Sequence, residues 1–179
     1  GLPAPASQLE AMHRLLLRHA CEADITLDLH CDFDAAIHLY ALPQHWPQWQ
    51  SLAARLKAGV ALLCEDSGGS SFDEACSTPW LRLARAFPEA AIPPANLATT
   101  LELGSMGDTR VDQAQANCEA ILGFLAEQGF IKGTWPAAPS ECCEGMPCEG
   151  TQDLVAPQHG VVSFLRDSGE WVEKGDALF

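Results

Sequence analysis

Apolar positions recur at helical spacing from residue 8 to residue 20, where Leu9, Met12, Leu16 and Ala20 form one stripe. Ser7 stands before this run as a cap, with Glu10 three positions later in the capping-box place. The pattern then becomes extended: Ile25-Thr26-Leu27-Asp28-Leu29-His30 reads as a buried strand. Side chains alternate along a strand, so Asp28 and His30 share one face. Asp28 also needs a partner, because burying an unpaired charge is costly. Residues 48–58 predict a second helix that stops near Gly59, and Val60-Ala61-Leu62-Leu63-Cys64 is a continuously apolar run suited to a strand covered on both faces. After a Gly/Ser-rich loop at 67–71, residues 73–86 read as a helix interrupted at Pro79. Residues 98–103 form another buried strand, with Gly104 and Gly107 opening a turn. The clearest helix is 113–128, with Asp112 as N-cap, Gln115 in the capping-box place, Ala114, Cys118, Ile121, Leu122 and Leu125 on one side, and Gly129 as its stop.

Strands alternating with helices over residues 1–133 predict an α/β fold, a mostly parallel sheet with helices on both faces. In such sheets functional groups gather beyond the carboxyl ends of the strands, where His30 falls. Residues 134–150 hold three prolines, two glycines and three cysteines without periodicity, and read as a linker or long loop. Residues 151–179 read as short β elements with turns, at 153–157, 160–165 and 171–179. A sheet ending at Phe179 lacks partners for its edge strands, so this second unit reads as partial.

Composition narrows the function classes. Of 179 residues, 47% are hydrophobic and 19% charged, a globular balance. Ten basic residues against 24 acidic ones give a formal charge of −14, which repels a phosphate backbone and argues against nucleic acid as a partner. No run of 18 apolar residues offers a membrane span. Residues 1–7 have neither the basic region nor the apolar core of a signal peptide and read as a linker, a loop or a cut point; the initial glycine leaves an upstream segment open. Eight scattered cysteines fit free thiols in a reducing cytoplasm better than a disulfide scaffold.

The candidate chemistry centres on His30 and Glu102. One reads as a metal ligand and the other as a general base, with Asp28 taking the second imidazole N–H. A zinc site needs about three protein ligands, and only one good candidate is visible. Arg110, just beyond the Glu102 strand, is a candidate grip for a substrate carboxylate, with Asp108 and Asp112 as its competing intramolecular partners. Asp66, Ser70, Ser71 and Asp73 are candidates for shaping a pocket, and His38, His45, Trp46 and Trp49 for a covering loop or for ordinary packing. Cys31 should point away from the His30 face, and Cys142, Cys143 and Cys148 lack the two paired C-X-X-C spacings of a structural zinc site.

Three segments together, Asp28-Leu29-His30, Thr100-Leu101-Glu102-Leu103-Gly104 and the Gly-X-Trp-Val-X-X-Gly-Asp-X-Leu run at 169–178, resemble the succinylglutamate desuccinylase/aspartoacylase family of zinc carboxypeptidase-like hydrolases. The resemblance implies a zinc-dependent hydrolase acting on the amide of a small N-acyl amino acid or peptide-like substrate. His30 matches the family's later histidine ligand and Glu102 its catalytic glutamate on zinc-bound water. Residues 151–179 match the start of its C-terminal barrel-sandwich β domain, although Lys174 lacks a biotin-carrier setting. The family's upstream His-X-X-Glu pair has no counterpart. The spelling occurs as His19-Ala20-Cys21-Glu22, but directly before the His30 strand, which excludes it as that pair. The chain thus reads as the family's middle-to-C-terminal part, with a homo-oligomer or a missing N-terminal segment as its completing partner. The alternative is a catalytically incomplete or metal-free binding or structural module; a cysteine hydrolase built on Cys31 is the third reading.

Overall fold

The computed structural model describes residues 3–69, 71–93 and 95–179. Helix α1 (Gln8–Ala20) starts as its sequence predicts: the Ser7 hydroxyl accepts the Glu10 N–H at 3.1 Å. The Glu10 carboxylate in turn reaches back to the Ala6 N–H at 2.6 Å, so two otherwise orphaned donors at the helix start are satisfied. Its apolar stripe is mostly solvent-facing, with Leu9, Met12 and Leu16 exposed and only Ala20 buried.

Five strands form one sheet in the order β1-β4-β2-β3-β5: β1 (Ile25–Asp32), β2 (His38–Ala41), β3 (Val60–Leu63), β4 (Leu97–Ser105) and β5 (Gly145–Pro147). Three neighbouring pairs are parallel and one, β2 with β4, is antiparallel. The mostly parallel α/β sheet with flanking helices is therefore present. Strand β2 is an addition that the sequence reading missed, because four residues are too few to establish a period. His38, assigned to a covering loop or to packing, is the first residue of that strand.

Helices α2 (Trp46–Leu56) and α4 (Val111–Glu127) cover one face, where Leu39, Leu52, Ala61, Leu101, Trp49 and Phe124 make the core. The Trp49 and Phe124 rings pack at 5.7 Å between centroids. Burial of such rings and aliphatic chains is the main favourable term in folding. Helix α3 (Phe72–Ala86) covers the other face, with α1 outside it, around a smaller cluster of Ala20, Cys76 and Ala98.

Several boundaries move for local reasons. α2 ends at Leu56, with Lys57 as its C-cap in the left-handed φ of 54°, two residues before Gly59. α3 continues through Pro79. α4 begins at Val111 with Arg110 in the cap position and no side-chain cap, because a guanidinium offers no acceptor; Asp112, inside the first turn, instead pairs with that guanidinium. Gly129 stops α4 with φ 82°, as read from the sequence.

Within 134–150, Gly145–Pro147 pairs with β3 as the fifth strand. Cys148 just beyond it forms a disulfide with Cys64, with Cα atoms 5.5 Å apart, so two cysteines expected to be free are joined. Residues 151–179 contain no helix or strand, and a barrel-sandwich unit is not formed there. This segment closes a loop on itself through the Leu165 N–H to the Leu178 carbonyl (2.8 Å) and leaves Trp171 fully exposed. Among the described residues no helix is long and apolar enough to cross a membrane.

Candidate functional site

The parallel register places His30 of β1 opposite Glu102 of β4, and the antiparallel register places His38 of β2 opposite Glu102 from the other side. Two residues back on the same face, Asp28, Thr100 and Tyr40 form the next row. Asp28 and His30 do meet, with Asp28 Oδ2 3.0 Å from His30 Nε2. His38 turns its Nδ1 to the Ala36 carbonyl (2.9 Å) and sets its ring edge-on to Tyr40.

Helix α3 approaches this face with its N-terminal end. Ser77 fixes its position: the hydroxyl donates to the Asn96 carbonyl (2.9 Å) and accepts the Ala98 N–H (3.1 Å), tying the helix to the start of β4. One turn earlier on the same helix face, Asp73 is buried against the sheet. The space enclosed is a cavity of about 430 Å³, lined on the sheet side by Asp28, His30, Tyr40, Thr100 and Glu102 and on the helix side by Ser71, Phe72, Asp73 and Glu74. Cys64 contributes to its wall, so the Cys64–Cys148 bridge borders the cavity.

The electrostatics are one-sided. Burial pushes the Asp73 carboxyl above the usual aspartate range, against the hydrogen bonds of Ser71, Glu74 and Thr100 that favour its charge. Burial also raises the Tyr40 phenol, helped by the nearby charges of Glu102, Asp32 and Asp73. Oδ1 of Asp73 and Oε2 of Glu102 are buried without hydrogen-bond partners among the described residues.

The sequence-predicted residues divide accordingly. Asp28, His30 and Glu102 come together, and Ser71 and Asp73 join them; Asp66 lies outside this lining and Ser70 outside the described residues. Arg110 is exposed, away from the cavity, with its guanidinium on Asp112. Cys31 faces a second, more open groove with Leu29, Leu103, Met106 and α4 residues. His45 and Trp49 are packed in the interior. Tyr40 and Thr100 escaped the sequence reading. The signal for Thr100 was its period-two relation to Glu102, and Tyr40 sat in the strand too short to recognise.

Zinc is not supported by this donor set. A zinc centre takes about three protein ligands, and among the described residues no three His, Cys, Asp or Glu side chains converge as a metal-holding group. His30 spends its Nε2 on Asp28 and stands half exposed. The expectation of a zinc-dependent hydrolase, with His30 as metal ligand and Glu102 acting on metal-bound water, is thereby overturned, and with it the metal-binding and metalloprotease assignments.

Neither a family model nor a curated protein matches the chain. Solved structures do. A protein from Shewanella frigidimarina named for succinylglutamate desuccinylase/aspartoacylase superposes with a TM-score of 0.74 at 22% identity over 92% of this chain and 50% of its own. A succinylglutamate desuccinylase/aspartoacylase family protein from Shewanella amazonensis gives 0.69 at 26% identity over 87% and 48%. A succinylglutamate desuccinylase/aspartoacylase from Rhodobacter sphaeroides gives 0.64 at 19% over 97% and 51%. The chain spans about half the length of these proteins. At these distant identities and with high coverage of the chain, its fold is that of the succinylglutamate desuccinylase/aspartoacylase structures.

Proposed function

We propose that this chain is a metal-independent binding module, derived from a hydrolase fold, whose cavity between α3 and the β1-β4-β2 face receives a small amino-acid-like molecule. The observation that carries the reading is the juxtaposition of Asp28, His30, Tyr40, Asp73 and Glu102 around one cavity without a convergent metal-holding group among the described residues. The names of the superposed proteins support the ligand class, a small acylated amino acid. Ordered polar groups on rigid strands, with a wall of Phe72 and Ala41, are the ingredients of a small-molecule pocket.

The test is a titration of EDTA-treated, isotopically labelled protein with Nα-acetyl-L-lysine, followed by amide NMR. Shifts confined to residues 71–74 and 99–103 in the absence of metal are expected. Binding that appears only on adding zinc overturns the reading.

A further inference from the structure

Strand β1 is the outer strand of the sheet, and its far side has no strand partner among the described residues. The Asp24 carbonyl accepts the Leu97 N–H at 2.9 Å, and the Asp32 carbonyl accepts the Met106 N–H at 2.7 Å. Backbone groups alternate in direction along a strand, so the even-numbered residues of β1 bond to β4. Ile25, Leu27, Leu29 and Cys31 therefore turn their N–H and C=O groups outward. The one irregularity in this pairing lies in β4, since His30 pairs with Glu102 and Asp32 with Ser105, and β1 itself runs unbroken for 8 residues. Edges of this kind are ordinarily guarded by lysine, proline, a bulge or a covering segment, and β1 contains neither of those residues. Beside the edge, Leu29, Cys31, Leu103, Met106, Ile121 and Leu122 line an open groove of about 650 Å³ between the strand and α4. Leu29 is 55% exposed there.

We infer that a second copy of this chain covers the edge, by antiparallel pairing of β1 with β1 about a two-fold axis at Leu29. The outward backbone groups restrict the register, because an odd-numbered residue must face an odd-numbered one. With Leu29 facing Leu29, Leu27 faces Cys31, Asp28 faces His30 and Thr26 faces Asp32. Each polar residue thus meets a complementary one, carboxylate against imidazole and hydroxyl against carboxylate, and the axis makes each pair twice. Moving the axis to Asp28 sets Asp28 against itself, and moving it to His30 sets Asp28 against Asp32; like charges directly opposite are destabilising. Placing it at Leu27 leaves Cys31 and Asp32 with no strand residue opposite. An interface between identical copies needs such a self-complementary patch. Its charge suits a like partner as well. The chain carries a formal charge of −14, yet among the groove's lining residues only Asp108 is an acid and none is lysine or arginine. Two copies can therefore meet here without bringing their acidic excess into contact. Asp28 and His30 also line the cavity, so each copy sets its His30 beside the cavity wall of the other.

The dimer requires no ligand in the cavity. Its test is analytical ultracentrifugation of the full chain over a dilution series. Twice the mass of one chain is expected at the highest concentrations, with dissociation to the monomer on dilution. Leu29→Lys puts a charge on the axis and should raise the dissociation constant at least tenfold while remaining folded by thermal melt. Leu29→Cys in a Cys31→Ser background, oxidised with glutathione disulfide, should give a crosslinked dimer on a non-reducing gel that Cys31→Ser alone does not give. Residues facing each other in such a hydrogen-bonded pair lie about 5.5 Å apart between Cα atoms, within disulfide reach. A monomer at every concentration overturns the self-association and leaves the edge to a different polypeptide. A dimer unaffected by L29K overturns the role of β1. Crosslinking through Leu27→Cys but not through Leu29→Cys overturns the register. If L29K does not fold, the crosslinking decides.

Discussion

His30 and Glu102 occupy one register position of the parallel β1–β4 pair, although 72 residues separate them in sequence. Backbone pairing alone brings them side by side. Packing then holds the row flat, because Leu101, which precedes Glu102, points to the opposite face and is fully buried beneath α2 and α4.

Leu101→Ala should therefore loosen the site from below. A buried leucine truncated to alanine costs about 2–5 kcal/mol through lost transfer energy and the cavity left behind. Urea denaturation should show the unfolding free energy in water lowered by that amount and the midpoint lowered in proportion, with ligand binding weakened only where the folded fraction falls.

Asp73 should work against stability at neutral pH. Its folded-state pKa is raised by burial above the ordinary aspartate value near 3.8. A carboxyl raised in the folded state contributes stability that is present below its unfolded pKa and lost as pH rises through its folded pKa. Unfolding midpoints measured from pH 3.5 to pH 7 should fall with pH more steeply in the native chain than in D73N. D73N should be at least as stable as the native chain at pH 7. Equal slopes in the two proteins would refute this.

The Cys64–Cys148 bridge closes a loop of 84 residues and pins β5 and the turn after it to the end of β3. In the oxidised protein, Cys148→Ser should lower stability by about 2–4 kcal/mol, mostly by freeing the unfolded chain. Thiol titration of the denatured, unreduced native chain should count six free cysteines: Cys21, Cys31, Cys76, Cys118, Cys142 and Cys143. A count of eight would show that the bridge is absent.

Gly104, the penultimate residue of β4, has φ 102°, and a Cβ there would stand 2.7 Å from Asp108 Oδ2. That carboxylate also accepts the Ser105 N–H at 2.9 Å. Gly104→Ala should cost about 1–3 kcal/mol from the backbone conformation alone. Thermal denaturation checks this, and the Asp108→Ala background should recover only the part due to the clash.

The sequence disclosed most of the layering but little of the site. Long periodic segments made the helices and three of the strands legible, and the alternation of Asp28 with His30 placed both on one face. Short pairing did not show: β2 and β5 have four and three residues, and each is specified by its neighbours rather than by its own pattern. A linear order of residues offers Arg110 for a substrate carboxylate but does not show that its guanidinium sits on Asp112, outside the cavity. The acids at 28, 73, 74 and 102 become one wall only after the sheet and α3 are assembled. Cys64 and Cys148 likewise gave no spacing signal across 84 residues.

Strand β4 enters the sheet between β1 and β2, two strands that precede it in the chain. Between β2 and β4 the chain runs through two helices and β3, so the site is built from contacts distant in sequence. Closing such separations carries a chain-entropy cost that no local segment of the site meets by itself. The site also has no local existence. Any fluctuation that withdraws β4 removes Thr100 and Glu102 and separates His30 from Tyr40 in the same event. Amide exchange at Thr100–Leu103 will consequently run at the rate of whole-molecule opening, and loss of ligand recognition on heating will coincide with loss of the fold.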